Sequence, residues 1–129
     1  MNMKPQSLVI REVGPRDGLQ NEATQLRPGM RAELINRLLN AGIRRVEAVS
    51  FVHPQLVPSM SEAEEVMRLV RQIPGRVISG LVLNQRGFDR AIAASVDHIN
   101  YSFAVTDSFA QRNQNATTEQ AIKLARQLI

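Results

Sequence analysis

Val13-Gly14-Pro15-Arg16-Asp17-Gly18-Leu19-Gln20-Asn21-Glu22 follows a short apolar run, Leu8-Val9-Ile10, and continues into a longer amphipathic stretch. An arginine, two carboxylates, two amides and two glycines in one tight loop are polar chemistry set at the end of a strand. Asp17 offers a hard oxygen of the kind Mg²⁺ or Mn²⁺ prefers. Arg16 offers a planar, permanently charged fork for a carboxylate or enolate oxygen. Gly14 and Gly18 are expected to give the loop backbone freedom that other residues lack.

Outward from this loop, short β-branched runs alternate with amphipathic ones. Leu8–Val13 reads as a strand. Residues 28–40 read as a helix, with Met30, Leu34, Leu38 and Leu39 near a three/four spacing, closed by Ala41-Gly42. Residues 45–50 read as a second strand. Ser61-Glu62-Ala63-Glu64 has the form of a capping box opening a helix to about Gln72, ended by Pro74-Gly75. Residues 77–83 are a third strand, and Asn84 can cap a helix through Ala94. Residues 98–104 are a fourth strand, and Thr117-Thr118-Glu119-Gln120 opens a last helix.

Successive strand–helix units without hairpin turns imply parallel strands joined by helical crossovers, the α/β class. About four such units fit a partial (β/α)₈ TIM barrel or a doubly wound sheet. No GxGxxG turn follows the first strand, which weakens the doubly wound, nucleotide-binding alternative. A complete barrel takes about 250 residues. Residues 1–129 are therefore expected to be the N-terminal half of one barrel, truncated in mid-pattern at Leu128-Ile129.

Composition narrows the partners. Hydrophobic residues make up 43% and charged residues 22%, so a folded core is expected. The net charge of +4 is scattered over separate arginines, with few aromatics to stack on bases, and nucleic acid is not an expected partner. Cysteine is absent, which removes disulfides and thiolate metal sites; a cytoplasmic setting is the expectation. No run approaches a membrane span.

Glu47 lies in Val46-Glu47-Ala48-Val49-Ser50-Phe51. A carboxylate among β-branched neighbours needs a partner, and Arg16 on the neighbouring strand is the natural one. Strict alternation puts Glu47 and Val49 on one face, and Val46, Ala48 and Ser50 on the other. His53 reads as a structural loop histidine, and His98 carries no expected role. Asn100, Tyr101, Ser102, Thr106, Asp107 and Asn113 either contact substrate or cap turns and the last helix.

Glu12–Glu22 resembles the signature of the metal-dependent lyase and synthase superfamily of (β/α)₈ barrels. Gly18–Glu22, Val46–Pro54 and Val57-Pro58-Ser59-Met60 are most similar to 3-hydroxy-3-methylglutaryl-CoA lyase, with lesser matches at Asn84–Gly87 and Arg112-Asn113. The resemblance implies metal-dependent cleavage of 3-hydroxy-3-methylglutaryl-CoA to acetyl-CoA and acetoacetate, a step of leucine degradation and ketone-body formation. It implies Mg²⁺ or Mn²⁺ on Asp17, enolate stabilisation and substrate binding by Arg16, and Glu47 beside that arginine. Gln20 and Ser50 are the further expected substrate contacts, and an acyl-CoA is the expected substrate. The family's other metal ligands, a His-x-His pair and an asparagine, and its loop cysteine belong to the second half of the barrel, so the chain alone is expected to be inactive. Val105-Thr106-Asp107 stands where the family more often has Ala-Ser-Glu. Two alternatives accompany this reading: a carboxyltransferase or acyl-CoA synthase of the same superfamily, or a non-catalytic half-barrel that associates with itself or with a missing C-terminal half.

Overall fold

The computed structural model describes residues 7–128. Three parallel strands form one sheet in the order β1 (Arg45–Ser50), β2 (Val77–Val82), β3 (His98–Tyr101). The crossovers carry helices α2 (Ala63–Leu69) and α3 (Gln85–Ala93); α1 (Pro28–Asn40) precedes β1, and α4 (Asp107–Gln114) and α5 (Thr118–Leu128) follow β3. This is the right element order for successive βα units of a barrel. The order β1-β2-β3 has no strand reversal, unlike a doubly wound sheet.

The core lies between one sheet face and the helices. Ile35 and Leu39 of α1, Val66 and Met67 of α2, and Ala91 of α3 pack with Val46, Val49, Ile78 and Val82. Ile35, Leu39, Val46 and Val49 are fully buried. Each such aliphatic side chain contributes about 1.5–3 kcal/mol through removal from water. Gly87 sits where α3 meets the end of β1: a Cβ there would lie 2.8 Å from the Phe51 carbonyl oxygen.

Two of the expected helix starts take their expected form. Asn84 Oδ1 accepts from Gly87 N at 2.8 Å, capping α3. Thr117 and Gln120 exchange bonds, Gln120 Oε1 accepting from Thr117 N and Thr117 Oγ1 from Gln120 N, a capping box at α5.

Five local expectations are corrected. Leu8–Val13 forms no strand; only Glu12 bridges to Val46, while Leu8, Val9 and Ile10 are exposed. With Leu8, Val9 and Ile10 exposed, no apolar burial holds that run against the sheet. The expected capping box before α2 is absent: Glu62 occupies the left-handed region (φ 56°), and Ser61 Oγ donates to the Pro58 carbonyl instead. Helix α2 stops at Leu69, not Gln72. The Asn36 amide takes over both chain groups there, donating to the Leu69 carbonyl and accepting from Arg71 N. The last strand ends at Tyr101, and α4 fills part of the loop expected after it. Gly14 and Gly18 are not in left-handed conformations. Gly14 instead lies close to a side chain, its N–H donating to Glu12 Oε1 at 2.6 Å.

The α3–β1 contact gives a direct test. Gly87→Ala forces a methyl against main chain and is expected to destabilise the fold by about 1–3 kcal/mol in urea unfolding. A midpoint equal to that of the native chain would show that α3 docks less closely.

Candidate active site

The loop Gly14–Gly18 winds as a single wide π-type turn, in which both Arg16 N and Asp17 N donate to the Val13 carbonyl. Such turns are rare and gather at functional positions. This one turns the Arg16 side chain onto the inner face of the sheet, away from the helices. Arg16 Nε donates to Glu47 Oε1 at 2.5 Å, and Arg16 Nη1 donates to Asp17 Oδ1 at 2.9 Å. Glu47 is 7% exposed at its side chain and Asp17 57%. The expected Arg16–Glu47 pair is therefore present.

Strict alternation fails at Ala48. The β1–β2 register runs Glu47↔Ser79 and then Val49↔Gly80, so Ala48 is an extra residue, a β-bulge. Beyond the bulge Ser50 pairs with Leu81, which pairs in turn with Asn100. Ser50 therefore shares the inner face with Glu47, Ser79 and Asn100, while Val49 turns to the helices. Ser50 is fully buried, and its Oγ has no hydrogen-bond partner among the described residues.

Asn100 completes the inner network. Its Nδ2 donates to Glu47 Oε2 and to Ser79 Oγ, and its Oδ1 accepts from Arg11 Nη1 at 2.8 Å. Arg11 and Ser79 were not expected at the site, and Asn100 had two readings. The available signal was an asparagine inside a strand, where that residue is depleted.

A cleft of about 510 Å³ opens beside Arg16, Asp17 and Gln20, with Val52, Leu83 and Ser102 on its wall. Those three residues lie just past the ends of β1, β2 and β3, so the cleft is at the carboxyl ends of the strands, where βα folds carry their chemistry. Gln20 is held through its main chain: Ser59 Oγ donates to its carbonyl, and the neighbouring Ser61 carbonyl accepts from buried Arg31. Burial lowers the pKa of Arg31, with nearby Glu62 opposing. Gln20 Oε1 is buried without a partner. A larger groove of about 970 Å³, against Val105, Ile122 and Lys123, touches none of Arg16, Asp17 or Gln20.

The remaining polar residues divide. Asp107 Oδ1 accepts from Thr118 N, and Tyr101 Oη donates to the Ala121 carbonyl, both bracing α5. Ser102 and Asn113 line the cleft. His53 Nδ1 accepts from Gln55 N within a turn. Among the described residues no three His, Cys, Asp or Glu side chains are grouped to hold a metal ion.

Parallel βα units with an arginine–carboxylate cluster beside a cleft at the strand ends define a barrel-type α/β scaffold. The chain belongs to the HMGL-like family, which matches residues 7–129. It is 41% identical over 118 residues to the cytoplasmic 3-hydroxy-3-methylglutaryl-CoA lyase of Mus musculus, covering 92% of this chain and 34% of the relative. It is 37% identical to the (R)-citramalyl-CoA lyase of Chloroflexus aurantiacus, covering 91% and 40%. Among solved structures, the HMG-CoA lyase of Acinetobacter baumannii in complex with coenzyme A and 3-methylmalate superposes with a TM-score of 0.90 at 32% identity, covering 94% of this chain and 40% of that one. The chain thus spans about two fifths or less of the length of these relatives.

Removing the carboxylate should expose its structural role. Glu47→Ala strands Arg16 Nε and Asn100 Nδ2 near the interior and is expected to cost about 3 kcal/mol in urea unfolding. Glu47→Gln keeps an acceptor for Arg16 but sets its amide against that of Asn100, so its loss should be smaller. A cost below about 1 kcal/mol for Glu47→Ala would mean that the pair is not formed in solution.

Proposed function

We propose that this chain supplies the N-terminal βα units of a divalent-metal-dependent carbon–carbon lyase acting on an acyl-CoA, with 3-hydroxy-3-methylglutaryl-CoA as substrate. The observation that carries the reading is the Asp17–Arg16–Glu47 chain at the strand ends, in a family whose named relatives are CoA-ester lyases.

In the reaction the 3-hydroxyl proton leaves to a base and the bond between C2 and C3 breaks. C3 becomes the ketone carbon of acetoacetate, and the electron pair passes into the thioester enolate, which takes a proton to become acetyl-CoA. Arg16 is the residue for the enolate oxygen: its charge is fixed, Glu47 orients it, and it faces the cleft. Gln20, and Ser50 on the same inner face, are proposed to contact the substrate.

Asp17 suits the part of one Mg²⁺ or Mn²⁺ ligand, being an exposed hard carboxylate at the cleft rim. The described residues do not make up a full ligand set, so further oxygens or nitrogens must come from substrate or from protein outside this chain. A bound divalent ion would supply Lewis-acid polarisation of the substrate hydroxyl and carbonyl oxygens.

Association belongs to the same proposal. Val105, Phe109 and Ile122 beyond β3, and Leu8, Val9 and Ile10 beyond β1, expose apolar surface at both margins of the sheet. A second copy or the remainder of a barrel would cover them. A cytoplasmic setting is also proposed; the named relatives include both cytoplasmic and mitochondrial lyases.

The isolated chain should form no acetoacetate from 3-hydroxy-3-methylglutaryl-CoA with Mg²⁺ or Mn²⁺, and should sediment as an assembly. Joined to the C-terminal portion of the mouse cytoplasmic lyase, it should form acetoacetate. There Arg16→Ala is expected to lower kcat by about 10²–10³. Glu47→Gln should depress turnover beyond its effect on stability. Preference for citramalyl-CoA would move the substrate to the Chloroflexus type. Metal-dependent acetoacetate from the isolated chain, or full activity with Asp17→Ala, would sink the proposal.

A further inference from the structure

Arginine–carboxylate pairs elsewhere among the described residues give an internal comparison. Arg90 grips both oxygens of Glu64, through Nε at 2.6 Å and Nη2 at 3.0 Å. Arg68 grips both oxygens of Glu65 in the same way, at 2.8 Å and 2.6 Å. This two-pronged geometry is the ordinary preference of the pair. Arg37 holds Glu33 through Nε alone, but between two exposed side chains; Arg16 uses a single prong on a carboxylate nearly removed from water. Only Nε reaches Glu47, and it reaches only Oε1.

At Glu47 the second oxygen has a partner of its own. Glu47 Oε2 is taken by Asn100 Nδ2. An asparagine amide can present either its oxygen or its nitrogen, and here the choice is forced. Arg11 has only donors, so Oδ1 must face Arg11 and Nδ2 must face Glu47. The cation on one side and the anion on the other polarise the amide in the same sense, which strengthens both bonds.

The consequence falls on Arg16. Nε serves Glu47 and Nη1 serves Asp17, while Nη2 has no hydrogen-bond partner among the described residues. Nη2 is also not among their buried unpaired atoms. It is the donor a two-pronged grip on Glu47 would consume.

We infer that Asn100, oriented by Arg11, is a positioning residue for Arg16. By occupying Glu47 Oε2 it holds the Arg16–Glu47 pair to one prong and leaves Nη2 available for an anionic oxygen in the cleft. Its importance for turnover rests on the lyase reading; the geometric claim does not.

The test is nitrogen NMR on the 129-residue chain labelled at arginine, with the Arg16 signal identified by its loss in Arg16→Lys. Rotation about the Nε–Cζ bond exchanges Nη1 and Nη2, and a two-pronged grip slows it. In Asn100→Val, which keeps a strand-compatible side chain but frees Oε2, the Arg16 rotation rate should fall at least about threefold. An unchanged or faster rate overturns the inference. Arg11→Gln, which lies outside the sheet, serves if the valine variant does not fold. It should slow the same rotation, and a native rate there overturns the inference equally. Failure of the lyase reading would appear in acetoacetate formation by the joined barrel and would not move this rotation rate.

Discussion

A carboxylate almost removed from water, Glu47, governs the inner face of this sheet. Burial of an isolated anion costs several kcal/mol, so the residues around it must answer it. They do so from three directions in sequence: Arg16 from the loop before α1, Asn100 from β3 and, through Asn100, Arg11 and Ser79. The contacts tie positions 31 and 53 residues away from Glu47. Among the described residues the N-terminal segment makes one bridge to the sheet, Glu12 to Val46, and Arg11 adds a bond to Asn100.

The two faces of the sheet have separate duties. Toward the helices, Val46, Val49, Ile78 and Val82 make a dry core with α1, α2 and α3. Toward the other side lie Glu47, Ser50, Ser79 and Asn100. The bulge at Ala48 reconciles them: it lets Val49 remain in the core while Ser50 returns to the face of Glu47. Further out, Arg31 reaches from α1 to the Ser61 carbonyl, and Ser59 to the Gln20 carbonyl, so the loop bearing Arg16 and Asp17 is braced from behind by the helical layer. Arg90 performs a similar service at the far end of β1, with its guanidinium 5.6 Å from the centre of the Phe51 ring and bonds to the Phe51 and Val52 carbonyls. The same arginine holds the Glu64 carboxyl below the usual range, chiefly through its hydrogen bonds.

Much of this was legible in the residues because it is governed by local rules. The spacing of apolar positions marked the extent of α1, although Met30 of the expected stripe is exposed and Ala32 and Ile35 enter the core with Leu39 instead, and β-branched runs marked β1 and β2. Asn84 and Thr117 announced the starts of α3 and α5 through side chains that can cap. The Arg16–Glu47 pairing was legible because a carboxylate inside a strand demands a cation. The features that escaped are those set by distant parts of the chain. The bulge at Ala48 has no glycine or proline to mark it. Leu8–Val13 has strand composition, but Leu8, Val9 and Ile10 gain no burial against the sheet. Glu62 looks like part of a capping box, yet its backbone is left-handed. The early end of α2 depends on Asn36, in a different helix. The role of Asn100 required knowing that β3 lies beside β2 in a register that brings Leu81 and Asn100 together.

The donors and acceptors at the cleft rim show how a sheet of three parallel strands can carry a defined polar pattern. Arg16 divides its donors three ways, and Asp17 divides its oxygens two ways. Asp17 Oδ1 accepts from Arg16, while Oδ2 has no hydrogen-bond partner among the described residues. Because a carboxylate can accept on both oxygens, binding Arg16 and binding a second cation need not compete for the same atom. Arg16 Nη2 and Asp17 Oδ2 are thus an open donor and an open acceptor on adjacent residues. A hydroxy-acyl thioester asks for that combination: a donor for the oxygen that gains negative charge, and an oxygen ligand beside it for a cation that polarises the hydroxyl. Glu47 and Asn100 supply neither atom directly. They bear on Arg16 Nη2, by holding the Arg16–Glu47 pair to one prong.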